Sequence, residues 1–161
     1  MSQDAVTSSN GWALYAHPVF IRRYESLVVE VTRLAEADPD DFQSHPASKL
    51  LECVTRAIKH VVPQNPDAAA LRQGGTLGRG MTHWRRVKKT LPARYRLFFQ
   101  FRSAAPRTII YAWLNDEATL RHAGARTDCY TVFKGMVSRG EIPNDYLALR
   151  QAAAELEKDA S

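Results

Sequence analysis

Cationic side chains are concentrated in the middle of this 161-residue chain. Residues 68–115 contain ten Lys and Arg residues and no Asp or Glu, whereas the whole chain carries a formal net charge of only +5 at pH 7. Such a block repels itself unless an anion approaches it or acids from flanking segments pair with it. It therefore indicates an anionic partner. Its members are Arg72, Arg79, Arg85, Arg86, Lys88, Lys89, Arg94, Arg96, Arg102 and Arg107.

Two neighbouring segments of this block alternate in the manner of β-strands and carry basic residues on one side. If they pair as a hairpin, their cations and one aromatic ring meet on a single sheet face. The cations could neutralise phosphates and an unstacked base could lie on the ring, or on Trp84 or Tyr130 nearby, as in the binding of single-stranded nucleic acid. The pattern allows equally that Phe98 packs beneath a helix and that Tyr130 is a core residue of the last helix. The segments are residues 84–89 and 94–102, and this face carries Arg86, Lys88, Arg94, Arg96 and Phe98.

Such a face could cleave RNA without a metal ion or another cofactor. A two-metal nuclease needs clustered carboxylates, and the block has none. In RNA the 2′-hydroxyl can itself attack the neighbouring phosphorus, so the protein has to stabilise the added negative charge, accept one proton and donate another. Guanidinium groups suit the first task. The candidates for proton transfer are Lys88, His83, His122 and Tyr130.

The elements that position these residues follow from the spacing of apolar side chains. Their order predicts a single α+β domain over residues 1–161, with helices on one face of a small antiparallel sheet and the other face free. The apolar run over residues 108–114 is typical of a central strand that is covered on both sides. The predicted strands are 12–16, 84–89, 94–102 and 108–114, and the predicted helices are 18–37, 46–62, 128–138 and a tail over 144–158.

Other protein classes are disfavoured by composition. The longest apolar run is much shorter than the about 20 residues that span a bilayer, and the polar N-terminus does not resemble a secretory signal. We therefore expect a cytoplasmic protein. Cys53 and Cys129 show neither a disulfide framework nor zinc-ligand spacing, so we expect both to be core thiols.

Several stretches of the chain resemble the YhaV family, which are toxins of bacterial type II toxin–antitoxin modules. The resemblance implies a RelE-like fold and an endoribonuclease that blocks translation by cutting mRNA, either free or bound to the ribosome. It also implies neutralisation by an antitoxin of the PrlF type. The stretches are NGWALYAHPVF (10–20), LGRGMTHWRRVK (77–88), ARYRLFFQF (93–101), AWLNDEATLR (112–121) and TDCYTVFKGMVSRG (127–140).

The resemblance and the strand patterns indicate the same four basic residues, which are Arg86, Lys88, Arg94 and Arg96. RelE-like nucleases resemble one another in combining a basic cluster with a Tyr or His near the C-terminal end, which makes Tyr130 the best counterpart and His122 a weaker one. Which group serves as base and which as acid stays open. The predicted catalytic residues are Arg86, Lys88, Arg94, Arg96 and Tyr130, and the predicted RNA-contacting residues are Trp84, Arg85, Lys89, Phe98 and Arg121.

Two alternative functions use the same features. A non-catalytic module that binds nucleic acid or the ribosome needs the cations but no proton-transfer residue. A ParE-like gyrase inhibitor resembles RelE-like nucleases in fold, but it stops DNA replication before translation. Cleavage of RNA separates the first alternative from an endoribonuclease, and the order of the two arrests separates the second.

Overall fold

The computed structural model describes residues 8–156 and contains one mixed β-sheet with helices on both faces. The strands are β1 (Ser8–Ser9), β2 (Trp12–Ala16), β3 (Arg85–Val87), β4 (Leu97–Arg102), β5 (Thr108–Leu114) and β6 (Ala154–Glu155). The helices are α1 (Pro18–Ala37), α2 (Pro46–Arg56), α3 (Val62–Gln64), α4 (Cys129–Ser138) and α5 (Tyr146–Ala152), and a π-helical turn joins α2 to α3.

The strand order is β1-β2-β5-β4-β3, and β6 also pairs with β2. The α+β prediction is confirmed, but the prediction of an antiparallel sheet is wrong for the pair β2 and β5, which run parallel. Parallel neighbours require a long crossover. Here the helices α1 and α2, together with the hairpin of β3 and β4, provide it, so the chain re-enters the sheet in the direction of β2.

Each face of the sheet has its own apolar core. The hairpin of α1 and α2 packs on one face around Phe20, Leu50 and Val54. Helices α4 and α5 pack on the other face around Phe133 and Leu149. The expectation of a free sheet face is therefore wrong. All seven residues of β5 are buried, as expected of a strand covered on both sides.

The remaining element predictions differ mainly at their ends. The strand predicted over 84–89 is shortened to β3, and the one predicted over 94–102 begins only at Leu97. The helical tail predicted over 144–158 is wrong after Ala152, because residues 154–155 pair with β2 as a strand. Residues 157 and 158 of that prediction lie outside the described residues. No helix within residues 8–156 combines the length and apolarity needed to cross a membrane.

Helix α1 begins where a histidine caps it. The Nδ1 atom of His17 accepts the backbone N–H of Val19 at 3.1 Å, and Pro18 occupies the first helical turn. His17 is buried, and this burial, followed by the charge of Arg22, lowers its pKa below the usual 6.5.

This cap makes stability depend on pH. Because the folded pKa of His17 is lowered, its contribution to stability is present above pH 6.5 and is lost as the pH falls through the folded pKa. We expect His17→Asn, which keeps a capping oxygen but does not titrate, to lose less unfolding free energy than the wild type between about pH 7 and 5. Urea unfolding at several pH values measures this, and equal losses in both proteins would contradict it.

Candidate active site

Helix α4 is docked on the sheet by stacked aromatic rings. The ring of Phe133 stacks on Phe98 with centroids 4.2 Å apart, and it meets Trp84 edge-on at 4.8 Å. Such pairs contribute about 0.5–1.5 kcal/mol each beyond the burial of their area. Because Tyr130 lies three residues before Phe133, it projects from the same side of α4, and its ring meets Phe98 edge-on at 5.5 Å.

This packing corrects the predicted stacking platform. Phe98 and Trp84 are both completely buried, so the expectation that they offer exposed rings to a base is wrong. The alternating pattern correctly placed Phe98 on the same sheet face as Arg86 and Arg96, but helix α4 packs against that face and covers the ring. Both rings instead support the helix that carries Tyr130.

The hydroxyl oxygen of Tyr130 lies between two guanidinium groups. It accepts Nε–H of Arg86 at 2.9 Å and Nε–H of Arg96 at 3.2 Å. Arg86 also donates to the carbonyl of Ala70 at 3.0 Å, and Arg96 donates to the carbonyl of Tyr95 at 2.9 Å. These bonds point both arginine side chains at one phenol oxygen.

Strand pairing explains why the two arginines meet. Arg86 of β3 lies directly opposite Phe98 of β4. Arg96 precedes Phe98 by two residues, so it points to the same face and is a diagonal neighbour of Arg86. The prediction that the two strands gather Arg86 and Arg96 on one face is confirmed.

A third guanidinium group lies against the ring of Tyr130. The Arg121 guanidinium carbon is 4.6 Å from the ring centroid, and its Nη1 atom forms an ion pair with Asp128 at 2.9 Å. The carboxylate of Asp128 also caps α4 by accepting the N–H of Tyr130 at 3.1 Å, and it accepts the N–H of His122 at 2.6 Å. Asp128 thus orients both the helix and the arginine.

We call Arg86, Arg96, Arg121, Asp128 and Tyr130 the Tyr130 cluster. Its three guanidinium groups and single carboxylate give a formal charge of +2. Tyr130 and Arg96 are only 6% and 7% exposed, so this charge is concentrated where water screens it weakly. The cluster can therefore stabilise an anion that reaches the phenol oxygen.

The structure does not bring every predicted cation to this cluster. Arg85 points to the opposite side of β3, where it pairs with Asp67 at 3.3 Å and lies over the ring of Phe101. Asp67 also pairs with Arg72, and these two exposed contacts hold the pKa of Asp67 below its usual range. Arg72 and Arg85 are therefore cations of the central block that pair with an acid from a flanking segment, as the sequence allowed, and do not face an external anion.

Three further predicted cations lie in the segment that connects β3 to β4. Lys88 and Lys89 follow β3 and are exposed. Arg94 is also exposed, and its Nε atom donates to the carbonyl of Arg121 at 3.0 Å. Among the hydrogen bonds within residues 8–156, none joins these three side chains to Tyr130. They can meet phosphates that approach the cluster from solvent.

The two candidate histidines occupy different places. His83 lies in a groove of about 670 Å³ that also contains Arg102 and Tyr146, and its Nε2 atom is 2.7 Å from the carbonyl of Asn144. This groove does not include Tyr130. The side chain of His122 is exposed, and its backbone N–H donates to the carboxylate of Asp128. His122 is therefore attached to a member of the Tyr130 cluster, whereas His83 is not.

Two neighbouring groups are unsuited to proton transfer or nucleophilic attack. Burial, together with the adjacent Asp128 carboxylate, raises the pKa of the Cys129 thiol to about 11, in agreement with the predicted core thiol. Burial and the hydrogen bond to Glu117 raise the pKa of Tyr95 to about 12. Within the described part of the chain, no group of three or more His, Cys, Asp or Glu side chains is placed to hold a metal ion.

Sequence reasoning missed Asp128 as a part of the site. An Asp directly before a helix is a recognisable N-cap signal, so the capping role of Asp128 could have been inferred. Its ion pair with Arg121 depends on a loop of irregular shape between them.

The fold and the cluster together define a class of protein, a small α+β domain in which a buried tyrosine and three arginines form a cationic site. Comparison with known proteins is specific about the family. Residues 14–154 match the model of the YhaV toxins, described as toxins with endonuclease activity of a toxin–antitoxin system, and the chain belongs to this family.

Individual relatives agree with this assignment. The ribonuclease toxin YhaV of Escherichia coli strain K12 is 46% identical over 147 residues, which cover 91% of this chain and 94% of that protein. The toxin YhaV of Escherichia coli O157:H7 matches to the same extent. The predictions of the family and of an endonuclease toxin are thereby confirmed. No solved structure matches significantly, so the RelE-like fold stays a prediction.

Proposed function

We propose that this endonuclease toxin cleaves mRNA by a metal-independent reaction at Tyr130 and so inhibits translation in the cytoplasm. The observation that carries the proposal is the placement of the Tyr130 hydroxyl between Arg86 and Arg96. The K12 relative is named a ribonuclease toxin, which supports RNA as the substrate class.

In the proposed reaction the 2′-hydroxyl oxygen of RNA bonds to the adjacent phosphorus and passes its proton to a water molecule of the solvent. The bond from phosphorus to the 5′-oxygen breaks, and that oxygen takes up a proton. The products carry a 2′,3′-cyclic phosphate and a 5′-hydroxyl group. The phosphorane that forms between these steps carries one more negative charge than the starting diester, and Arg86 and Arg96 stabilise it.

Tyr130 is the proton donor in this scheme. Its oxygen accepts two hydrogen bonds in the structure, and neither of them uses its own hydrogen. After donation, the phenolate oxygen keeps both guanidinium contacts, which stabilise its charge until it takes up a proton from the solvent. Arg121 lies against the ring and adds a third positive charge. The nearby cations Lys88, Lys89 and Arg94 hold the flanking phosphates.

A partner antitoxin follows from membership of a toxin–antitoxin family. We propose that it is of the PrlF type and that it neutralises the cationic surface around the Tyr130 cluster. An acidic segment would be attracted to this surface, because the carboxylates of residues 8–156 that pair with the central block are limited to Asp67.

Removal of divalent metal ions tests the metal-free reaction. We expect purified toxin to cleave free mRNA at the same rate within about twofold in EDTA, because guanidinium groups rather than metal ions stabilise the phosphorane. The new ends should be a 2′,3′-cyclic phosphate, or its 3′-phosphate hydrolysis product, and a 5′-hydroxyl.

A matched substrate serves as the control for this experiment. RNA with a single 2′-deoxy residue on the 5′ side of the cut lacks the nucleophile, so cleavage there should stop while other sites are still cut. Loss of cleavage in EDTA, or products with a 5′-phosphate, would overturn the proposed reaction.

A further inference from the structure

Asn115 follows the last residue of β5, and its side chain is completely buried. Its amide oxygen accepts the backbone N–H of Arg96 at 2.8 Å, and its amide nitrogen donates to the carbonyl of Arg94 at 3.1 Å. A side-chain amide offers the same two groups as a peptide unit. Asn115 therefore continues the pairing between β4 and β5 beyond its last backbone pair, Leu97 with Leu114.

Asn115 is itself held firmly from two other directions. Its amide nitrogen also donates to the carbonyl of Thr119 at 2.8 Å. Its backbone carbonyl accepts two bonds from the guanidinium group of Arg23 on α1, at 3.1 and 3.0 Å. Helix α1 lies on the opposite face of the sheet from the Tyr130 cluster, so this contact ties the two faces together.

The backbone that Asn115 holds has an unfavourable conformation. Arg94 has a φ of +74°, in the left-handed region that residues other than Gly rarely adopt. Its carbonyl accepts from Asn115 and also from the N–H of Arg121 at 2.9 Å. Conformations of this kind persist only when the surroundings enforce them, and they are concentrated at functional sites.

The held backbone leads directly to the Tyr130 cluster. By binding the carbonyl of Arg94 and the N–H of Arg96, Asn115 restrains the peptide units on both sides of Tyr95. The carbonyl of Tyr95 in turn accepts Nη1 of Arg96, whose Nε donates to Tyr130. The position of the Arg96 guanidinium group thus depends on the buried amide.

We propose that Asn115 is a positioning residue for the nuclease reaction, because its buried amide sets the backbone of residues 94–96 and so directs Arg96 onto the hydroxyl of Tyr130. The inference rests on the proposed function, in which Arg96 and Tyr130 act on the phosphodiester. Asn115 itself does not touch RNA.

A double-mutant cycle with Arg96 tests the proposal. Asn115→Asp keeps the shape and the acceptor for Arg96 but cannot donate to Arg94 or Thr119. We expect kcat for RNA cleavage to fall about 10- to 100-fold with KM almost unchanged. In the Arg96→Ala background, the same substitution should cause no further loss of kcat. A similar loss of kcat in both backgrounds, or no loss in either, would overturn the proposal.

The matched control is Asn144→Asp. Asn144 also bridges two segments, since it donates to the carbonyl of Gly80 at 3.1 Å and accepts Nε1–H of Trp84 at 2.7 Å. The substitution removes the same kind of donor away from the cluster, so kcat should stay within about twofold of the wild type. A loss of kcat equal to that of Asn115→Asp would show a general structural defect and overturn the proposal.

A second variant covers the case in which Asn115→Asp does not fold. Arg23→Gln removes the two guanidinium hydrogen bonds to the Asn115 carbonyl, which come from the opposite face of the sheet. It should likewise lower kcat in the wild-type background and cause no further loss in the Arg96→Ala background. If Tyr130→Phe cleaves RNA at the wild-type rate, the proposed function itself fails. If Tyr130→Phe is inactive while the Asn115 and Arg23 variants cleave normally, only the positioning role fails.

Discussion

Tyr130→Phe should reduce the cleavage rate about 10²- to 10⁴-fold, the usual contribution of a positioned proton donor. The substitution removes one oxygen and keeps the ring that packs against Phe98 and lies beneath Arg121. KM should change little, because the cations that hold phosphates remain. Single-turnover cleavage of a defined mRNA, followed on gels at saturating toxin, measures the effect.

Tyr24→Phe is a closely matched control for this substitution. Tyr24 and Tyr130 are each 6% exposed, and both hydroxyls are hydrogen-bonded, that of Tyr24 with Thr55 at 3.0 Å. Tyr24 lies in the core on the other face of the sheet. Tyr24→Phe should lose about 1 kcal/mol of stability for its one hydrogen bond, and Tyr130→Phe should lose more because it gives up two bonds from charged groups, but only Tyr130→Phe should lose cleavage. Equal cleavage rates in the two variants would eliminate Tyr130 as the proton donor.

Arg86→Ala and Arg96→Ala should each reduce kcat about 10²- to 10³-fold, as expected when one preorganised donor to a transition-state anion is removed. Growth inhibition should be lost in parallel. Arg96→Lys should rescue little of the loss. A lysine keeps the charge, but it lacks the guanidinium fork that binds Tyr130 and the carbonyl of Tyr95 together.

Arg107→Ala controls for the general loss of positive charge. Arg107 belongs to the same carboxylate-free block, but its guanidinium group lies over the ring of Trp12 at 4.2 Å, at the other end of the sheet. Its removal should change KM slightly through long-range attraction and leave kcat unaltered. If Arg86→Ala and Arg96→Ala inhibit growth and cleave RNA as well as Arg107→Ala does, the Tyr130 cluster is not the active site.

Local patterns predicted the elements that carry the site. The Pro18 start and the apolar spacing of α1 were sufficient for its bounds, and the helix predicted over 128–138 matches α4 at Cys129–Ser138. Alternation placed Arg86 and Arg96 on one face, because strand geometry repeats every two residues irrespective of the surroundings. These features are encoded by neighbours in sequence, so they could be predicted without knowledge of the fold.

The predictions failed where they required knowledge of what covers a surface. Alternation shows that Phe98 and Arg96 share a face, but it does not show that Phe133 of α4 stacks on Phe98. The pattern therefore allowed both an exposed base platform at Phe98 and a ring packed beneath a helix, and Phe98 is completely buried. The continuous apolar run of β5 already required cover on both sides, and that pattern was the better guide.

The amino-acid sequence by itself determined the family, the cation block without carboxylates, and the strand face that Arg86 and Arg96 share. Only the tertiary structure decided that both arginines meet at Tyr130, which is separated from them by 44 and 34 positions in the chain. The reason is physical. Side-chain periodicity is a property of each strand or helix, whereas the meeting of distant side chains depends on how α4 docks and on how Asn115 and Asp128 hold the loops between the elements.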